Sequence, residues 1–221
     1  DLIEEILGVR PEIIAGEEEA ALSFAGAASA VNSSDQRTVV VDLGGGSTEF
    51  VLGNQQGIVA ARSLNIGCVR LTERYAASSP LTAEQREQIL LDVDRAIDEA
   101  AETIDFYSAE RLIGVAGTVT TVTAHALKLD TYDSQAINAT YLPVKEIEKA
   151  ARSLYSMDRE QRAALGFMHE GRIDVIGTGA LIWARIVERL SQLSGGKIDG
   201  AIASEFDILD GLVLSQIDST R

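Results

Sequence analysis

The sequence is short of the residues that build metal and redox centres. It has one cysteine, Cys68, so no internal disulfide is possible, which fits a reducing, cytoplasmic compartment. Two histidines beside that cysteine are too few for an ordinary His/Cys zinc site. No apolar run approaches the ~20 residues of a membrane span. Nor does a basic stretch followed by an apolar one open the chain, so neither a membrane helix nor a signal peptide is expected. Bases are scarce: 19 against 34 acids, a net charge of −15. That balance argues against a duplex nucleic-acid partner, which requires a dense basic face. What is present is a chain of 221 residues, 46% hydrophobic, enough to bury a core.

The pattern of apolar residues divides the chain. Residues 1–7 read as the end of an amphipathic helix, and Ile13 and Ile14 as part of a short strand. A small-residue helix follows from Glu17, rich in Ala, Gly and Ser. Residues 38–43, 47–52 and 58–66 read as three strands of a meander, with a hairpin turn at Gly53–Gly57. An acidic helix is expected from Thr82, which caps it with Gln85 three residues on, to about Ser108. Then the order becomes strand, helix, strand, helix, with strands at 112–116 and 198–203 and a small one near 138–142. A long apolar helix spans about 173–193, and a last helix 207–217. Three strands in a meander followed by alternating helices and strands predict a ribonuclease-H-like α/β domain, a mixed five-stranded sheet with helices on both faces.

Three segments carry candidate chemistry. Val41-Asp42-Leu43-Gly44-Gly45-Gly46-Ser47-Thr48-Glu49 places a glycine turn between two strands, with an acid at each side. Glycine backbones allow amides to approach and point at an anion. Asp42 and Glu49 are placed to hold Mg²⁺ through water. Gly114-Val115-Ala116-Gly117-Thr118 runs a strand into a helix N-terminus, a second place where free amides favour an anion. Gly16-Glu17-Glu18-Glu19-Ala20 offers carboxylates at a helix start, the kind of group that takes a proton from water in phosphoanhydride hydrolysis. Arg172 and Asp174 read as an ion pair at a helix start, and Cys68 as a small core residue.

These motifs, with Asn65-Ile66-Gly67-Cys68-Val69-Arg70-Leu71, Arg172-Ile173-Asp174 and Ser204-Glu205-Phe206-Asp207, follow the order and rough spacing of the Ppx/GppA family. That family contains exopolyphosphatases and guanosine pentaphosphate phosphohydrolases of the actin/Hsp70/sugar-kinase superfamily. The resemblance covers essentially the whole chain and is greatest to the short actinobacterial members. It implies Mg²⁺-dependent removal of terminal phosphate from inorganic polyphosphate or from pppGpp. Glu19, which directly precedes the alanine of its motif, matches the family's catalytic base. Asp42 and Glu49 match the acids of the second phosphate loop and likewise enter the catalytic set. Gly44, Gly45, Gly46, Ser47 and Thr48 match its phosphate-binding turn, and Gly117 and Thr118 the later loop. The family's first phosphate loop, of the form D-x-G-S-N-S, has no counterpart, since the only D-x-G begins at Asp42. Residues 1–31 are therefore expected to be a remnant of an N-terminal domain plus the crossing helix, and 32–221 the C-terminal domain. The missing domain is then a required partner, the piece alone is expected to be inactive, and a homodimer is a possible assembly.

Two other classes fit the same residues: a non-catalytic polyphosphate- or alarmone-binding or dimerisation module, and an ATPase or kinase of the same superfamily. Glu19 in its motif distinguishes the phosphohydrolases from the sugar kinases. The charge itself is unevenly spread. Residues 38–72 are neutral and 111–128 carry +2, while 82–110 carry −7. The acid therefore lies mainly outside these loop-bearing segments, and surface charge beyond a Debye length of ~8 Å is largely screened at physiological salt.

Overall fold

The computed structural model describes residues 2–11, 16–29 and 35–218. Ile13 and Ile14, expected in a short strand, lie outside them. Strands β1 (Thr38–Leu43), β2 (Thr48–Asn54) and β3 (Gly57–Leu64) form the antiparallel meander, joined at its tip by the turn before Gly57. On the other side of β1 lies β4 (Arg111–Val115), parallel to it. β6 (Gly200–Ala203) runs parallel to β4, and β5 (Tyr141–Pro143) closes the edge antiparallel to β6. The spatial order is β3-β2-β1-β4-β6-β5, that of a ribonuclease-H-like domain.

The sheet thus has six strands, not five. The extra one is the three-residue β5. It corresponds to the small strand expected near 138–142, and its place in the sheet is set by pairing with β6.

Ten helices are present among the described residues. They are α1 (Leu2–Leu7), α2 (Gly16–Ser29), α3 (Cys68–Arg74), α4 (Ala83–Ala101), α5 (Ala116–Leu127), α6 (Ser134–Ile137), α7 (Val144–Ser156), α8 (Arg159–Ala163), α9 (Ile176–Leu193) and α10 (Ile208–Asp218). The Thr82 capping box starts α4, and Asp158 with Gln161 starts α8 in the same way. α4 ends at Ala101, earlier than the periodicity suggests. The chain instead makes a 3-10 turn at Phe106–Ser108, which buries Phe106 edge-on to Phe50. Likewise α9 begins at Ile176, after a separate 3-10 turn at Glu170–Arg172.

Alternation along β1 and β2 divides the core. Val39, Val41, Phe50 and Leu52 face the larger cluster, built with α4, α5, α7 and α9. Val40, Val51, Ile113 and Val115 face Ala20, Phe24 and Ala27 of α2. α2 is therefore integral to one face of this sheet. α10 packs on α2 through glycines: a Cβ on Gly26 would meet the Asp207 carbonyl, and one on Gly211 the Leu22 carbonyl.

Candidate phosphate site at the sheet edge

β1 and β4 are parallel neighbours with Asp42 opposite Val115. Both therefore end at one edge of the sheet, and their following loops are about one strand spacing, ~5 Å, apart. In α/β folds that carboxyl edge is where ligands bind.

The glycine turn at 44–47 owes its shape to α3. The Cys68 amide donates to the Gly44 carbonyl at 3.0 Å, and the Val69 and Arg70 amides to the Gly45 carbonyl at 2.9 and 3.0 Å. The Gly67 amide and the Arg70 guanidinium (Nε) both donate to the Gly46 carbonyl, at 3.3 and 2.6 Å. Three carbonyls of the turn are thus tied to the N-terminus of α3, whose own orphan amides they satisfy. The amides of Gly45, Gly46 and Ser47 donate to no backbone carbonyl among the described residues. Backbone amides left without a backbone acceptor in a glycine turn are the kind of donors that can bind an anion. Thr48, by contrast, is fully buried, and its hydroxyl donates to the Ile66 carbonyl at 3.2 Å. It secures the segment leading into α3 and does not face the turn's open side.

Asp42 and Glu49 are directly opposite each other across the β1–β2 pair, so their side chains share one face. It is the α2 face, the one that carries Val40 and Val51. The Ser23 hydroxyl of α2 donates to Asp42 Oδ2 at 3.1 Å, and the Ser63 hydroxyl of β3 to Glu49 Oε1 at 2.6 Å. Glu19 belongs to α2, four residues before Ser23 and hence one helical turn earlier along its axis. Its side chain, like that of Glu17, lies outside the described residues. No group of three or more His, Cys, Asp and Glu side chains arranged to hold a metal occurs among those described.

The second loop is strained where it turns. Ala116 has φ +72°, a left-handed conformation costly for a residue with a side chain. It redirects the chain from β4 into α5, whose first turn has no side-chain cap. The Gly117 and Thr118 amides are among the unsatisfied donors there. The Thr118 side chain is buried at 5% exposure against Gly179 and Cys68, so it neither caps α5 nor faces outward. Burial pushes the Cys68 thiol up, which makes it a packing residue between the two loops.

Arg172 departs from the sequence-based expectation. Asp174 pairs with Arg159, Nε to Oδ1 at 2.8 Å. The Arg172 guanidinium lies against the bare Cα of Gly117, where a Cβ would collide with it. It donates from Nη1 to Thr121 Oγ1 at 3.2 Å, and that hydroxyl donates to the Gly117 carbonyl at 2.6 Å. Arg70 and Arg172 thus place one cation at each loop. Neither was identifiable as such from spacing, although both lie in recognised motifs. Beyond Arg172 opens a cavity of about 400 Å³ lined by Tyr132, Phe167, Met168 and His169.

The chain is 43% identical over 208 residues to Exopolyphosphatase 2 of Mycobacterium tuberculosis. That match takes in 94% of the chain and 64% of the relative, so the chain spans less than two thirds of the relative's length. A 115-residue stretch, 52% of the chain and 23% of the relative, is 39% identical to the guanosine-5'-triphosphate,3'-diphosphate pyrophosphatase of Photobacterium profundum. The crystal structure of an exopolyphosphatase-like protein superposes on the whole chain and 72% of its own, with a TM-score of 0.93 at 43% identity. The model of the Ppx/GppA phosphatase family matches residues 1–216, and the chain belongs to that family.

Proposed function

We propose that this chain carries the phosphate-binding half of a Mg²⁺-dependent phosphohydrolase that removes terminal phosphate from inorganic polyphosphate or pppGpp. The turn at 44–47 carries the reading: its carbonyls are anchored to α3 and three of its amides have no backbone acceptor. Such a turn takes phosphate oxygens without reorganising, as electrostatic stabilisation of a charged transition state requires. Arg70, the α5 amides and Arg172 extend the same surface along a phosphate chain.

Asp42 and Glu49 fit a hard divalent cation. They are two oxygen donors on one face, each accepting a serine hydroxyl. Mg²⁺ at these carboxylates would neutralise phosphate charge. In the proposed step a water oxygen bonds to the terminal phosphorus and the bridging P–O bond breaks. The Glu19 carboxylate accepts the water proton, and the shortened polyphosphate leaves with the bonding electron pair. The glycine-loop amides and Arg172 hold the chain in line meanwhile.

The names of two relatives, an exopolyphosphatase and a pppGpp pyrophosphatase, support phosphoanhydride hydrolysis. The cavity beside Arg172, with its aromatic and thioether lining, favours the second of these substrates, because it offers a nucleoside-sized space next to the anion surface. The remaining third of the relatives' length would complete the cleft, so the chain alone binds substrate but turns over little.

The test joins the missing third of the M. tuberculosis relative to this chain and measures phosphate release from polyphosphate and pppGpp with Mg²⁺. Glu19→Gln should lower turnover on the order of 10²–10⁴-fold while binding is kept. Unchanged turnover removes Glu19 as the base, and robust release by the chain alone removes the need for a second domain.

A further inference from the structure

Arg162 of α8 is the only arginine among the described residues whose side chain is almost wholly enclosed, at 1% exposure. It makes no ion pair with a described residue. Its Nε donates to the Leu154 carbonyl at the end of α7, 3.0 Å away, and its Nη1 to the Ile173 carbonyl at 3.3 Å. Its Nη2 has no partner. The opposing charges that act on it, Asp158 and Asp174, are engaged elsewhere, one capping α8 and one pairing with Arg159. The guanidinium lies against Gly177 in the first turn of α9, where a Cβ would collide with it. The hydroxyl of the next residue, Thr178, is the other buried side-chain atom without a partner.

As a contribution to stability this arrangement is poor. A buried charge with incomplete partners is commonly matched or bettered by an apolar side chain of similar volume. What an apolar residue lacks is the ability to hold two carbonyls at a fixed separation. Those carbonyls belong to the end of α7 and to the residue directly after Arg172. The same device thus appears twice in series. A guanidinium on bare Gly177 fixes the turn at 170–173, and that turn lays a second guanidinium on bare Gly117.

We infer that Arg162 is a positioning residue: by holding the Ile173 carbonyl it sets Arg172 against Gly117 and so tunes the second phosphate loop. The link from Arg172 to anion affinity rests on the function proposed above. The link from Arg162 to Arg172 does not.

Two readouts separate them. Hydrogen exchange of the Arg172 guanidinium Nη–H that donates to Thr121, followed by NMR in the 221-residue chain, reports its placement directly. Affinity for tripolyphosphate with Mg²⁺ reports the consequence. Arg162→Met should leave the melting temperature near or above that of the unsubstituted chain. It should speed exchange of that Arg172 Nη–H about tenfold and weaken tripolyphosphate about fivefold, and it should cost nothing further in an Arg172→Ala background. Arg162→Lys, still able to donate to carbonyls, should recover part of both losses. Gly177→Ala, which displaces Arg162 without removing it, should reproduce them and covers the case in which Arg162→Met does not fold. Unchanged Arg172 exchange in Arg162→Met or Gly177→Ala overturns the inference. So does a fivefold loss that persists in the Arg172→Ala background, since Arg162 would then act by another route. If Arg172 loosens as expected but neither Arg162→Met nor Arg172→Ala affects tripolyphosphate, the positioning stands and the proposed phosphate site falls.

Discussion

Gly67→Ala tests the anchored turn most directly. Gly67 has φ −75° and ψ 159°, a conformation open to any residue, so alanine there adds no backbone strain of its own. Its Cβ, however, would land on the peptide between Gly45 and Gly46. The turn must shift, and the bonds from the Val69 and Arg70 amides to the Gly45 carbonyl are the first to stretch. Two backbone bonds at about 1 kcal/mol each put the loss of stability near 2 kcal/mol. For a chain of this size that is a fall in Tm of roughly 4–8 °C. The amides of Gly45, Gly46 and Ser47 lose their alignment at the same time. A bond from an amide to a charged phosphate contributes about 1.5–3 kcal/mol, so one misaligned amide lowers affinity about tenfold or more. Calorimetric titration with Mg²⁺-tripolyphosphate and a thermal melt measure both. Wild-type affinity together with a lowered Tm would show that the turn is structural and does not hold the anion. Wild-type values for both would refute the anchoring argument itself.

Three further outcomes follow from the same geometry. Asp42→Asn removes one of two paired carboxylates and should raise the Mg²⁺ concentration needed for tripolyphosphate binding on the order of tenfold; an unchanged Mg²⁺ titration would remove Asp42 from the cation's surroundings. Cys68, its thiol pushed up by burial, should react with a thiol reagent at pH 8 far more slowly in the native chain than in urea, and equal rates would mean the two loops do not pack as described. Burial pushes His125 down, so below its ordinary value near 6.5 the unfolded chain binds the proton more readily than the folded one. Stability should therefore fall as pH drops from 7 to 5, and His125→Gln should flatten that slope in urea midpoints. An identical slope in the variant would contradict the burial effect.

Much of the local structure was legible because its causes are local. Thr82 with Gln85, and Asp158 with Gln161, announce helix starts three residues ahead. Strand alternation over 38–64 gives the meander and places Asp42 and Glu49 on either side of a glycine turn. The reading fails where a side chain's partner is distant in sequence. Arg172 and Asp174 look like a pair until the fold gives Asp174 to Arg159 and lays Arg172 on Gly117. Thr48 and Thr118 stand in the phosphate-loop motifs, yet packing buries both side chains.

By itself, then, the sequence determined most of the longer elements, the residue types at the sheet edge and, by the order of its motifs, the family. Capping, alternation and glycine turns act over a few residues and leave their mark in the chain. Only the tertiary structure decided what anchors the turn's carbonyls, which cation sits at which loop and what holds Arg172. Each of these depends on a contact between segments brought together by strand register, such as α3 under the 44–47 turn or α8 against α9. No spacing along the chain records such a contact.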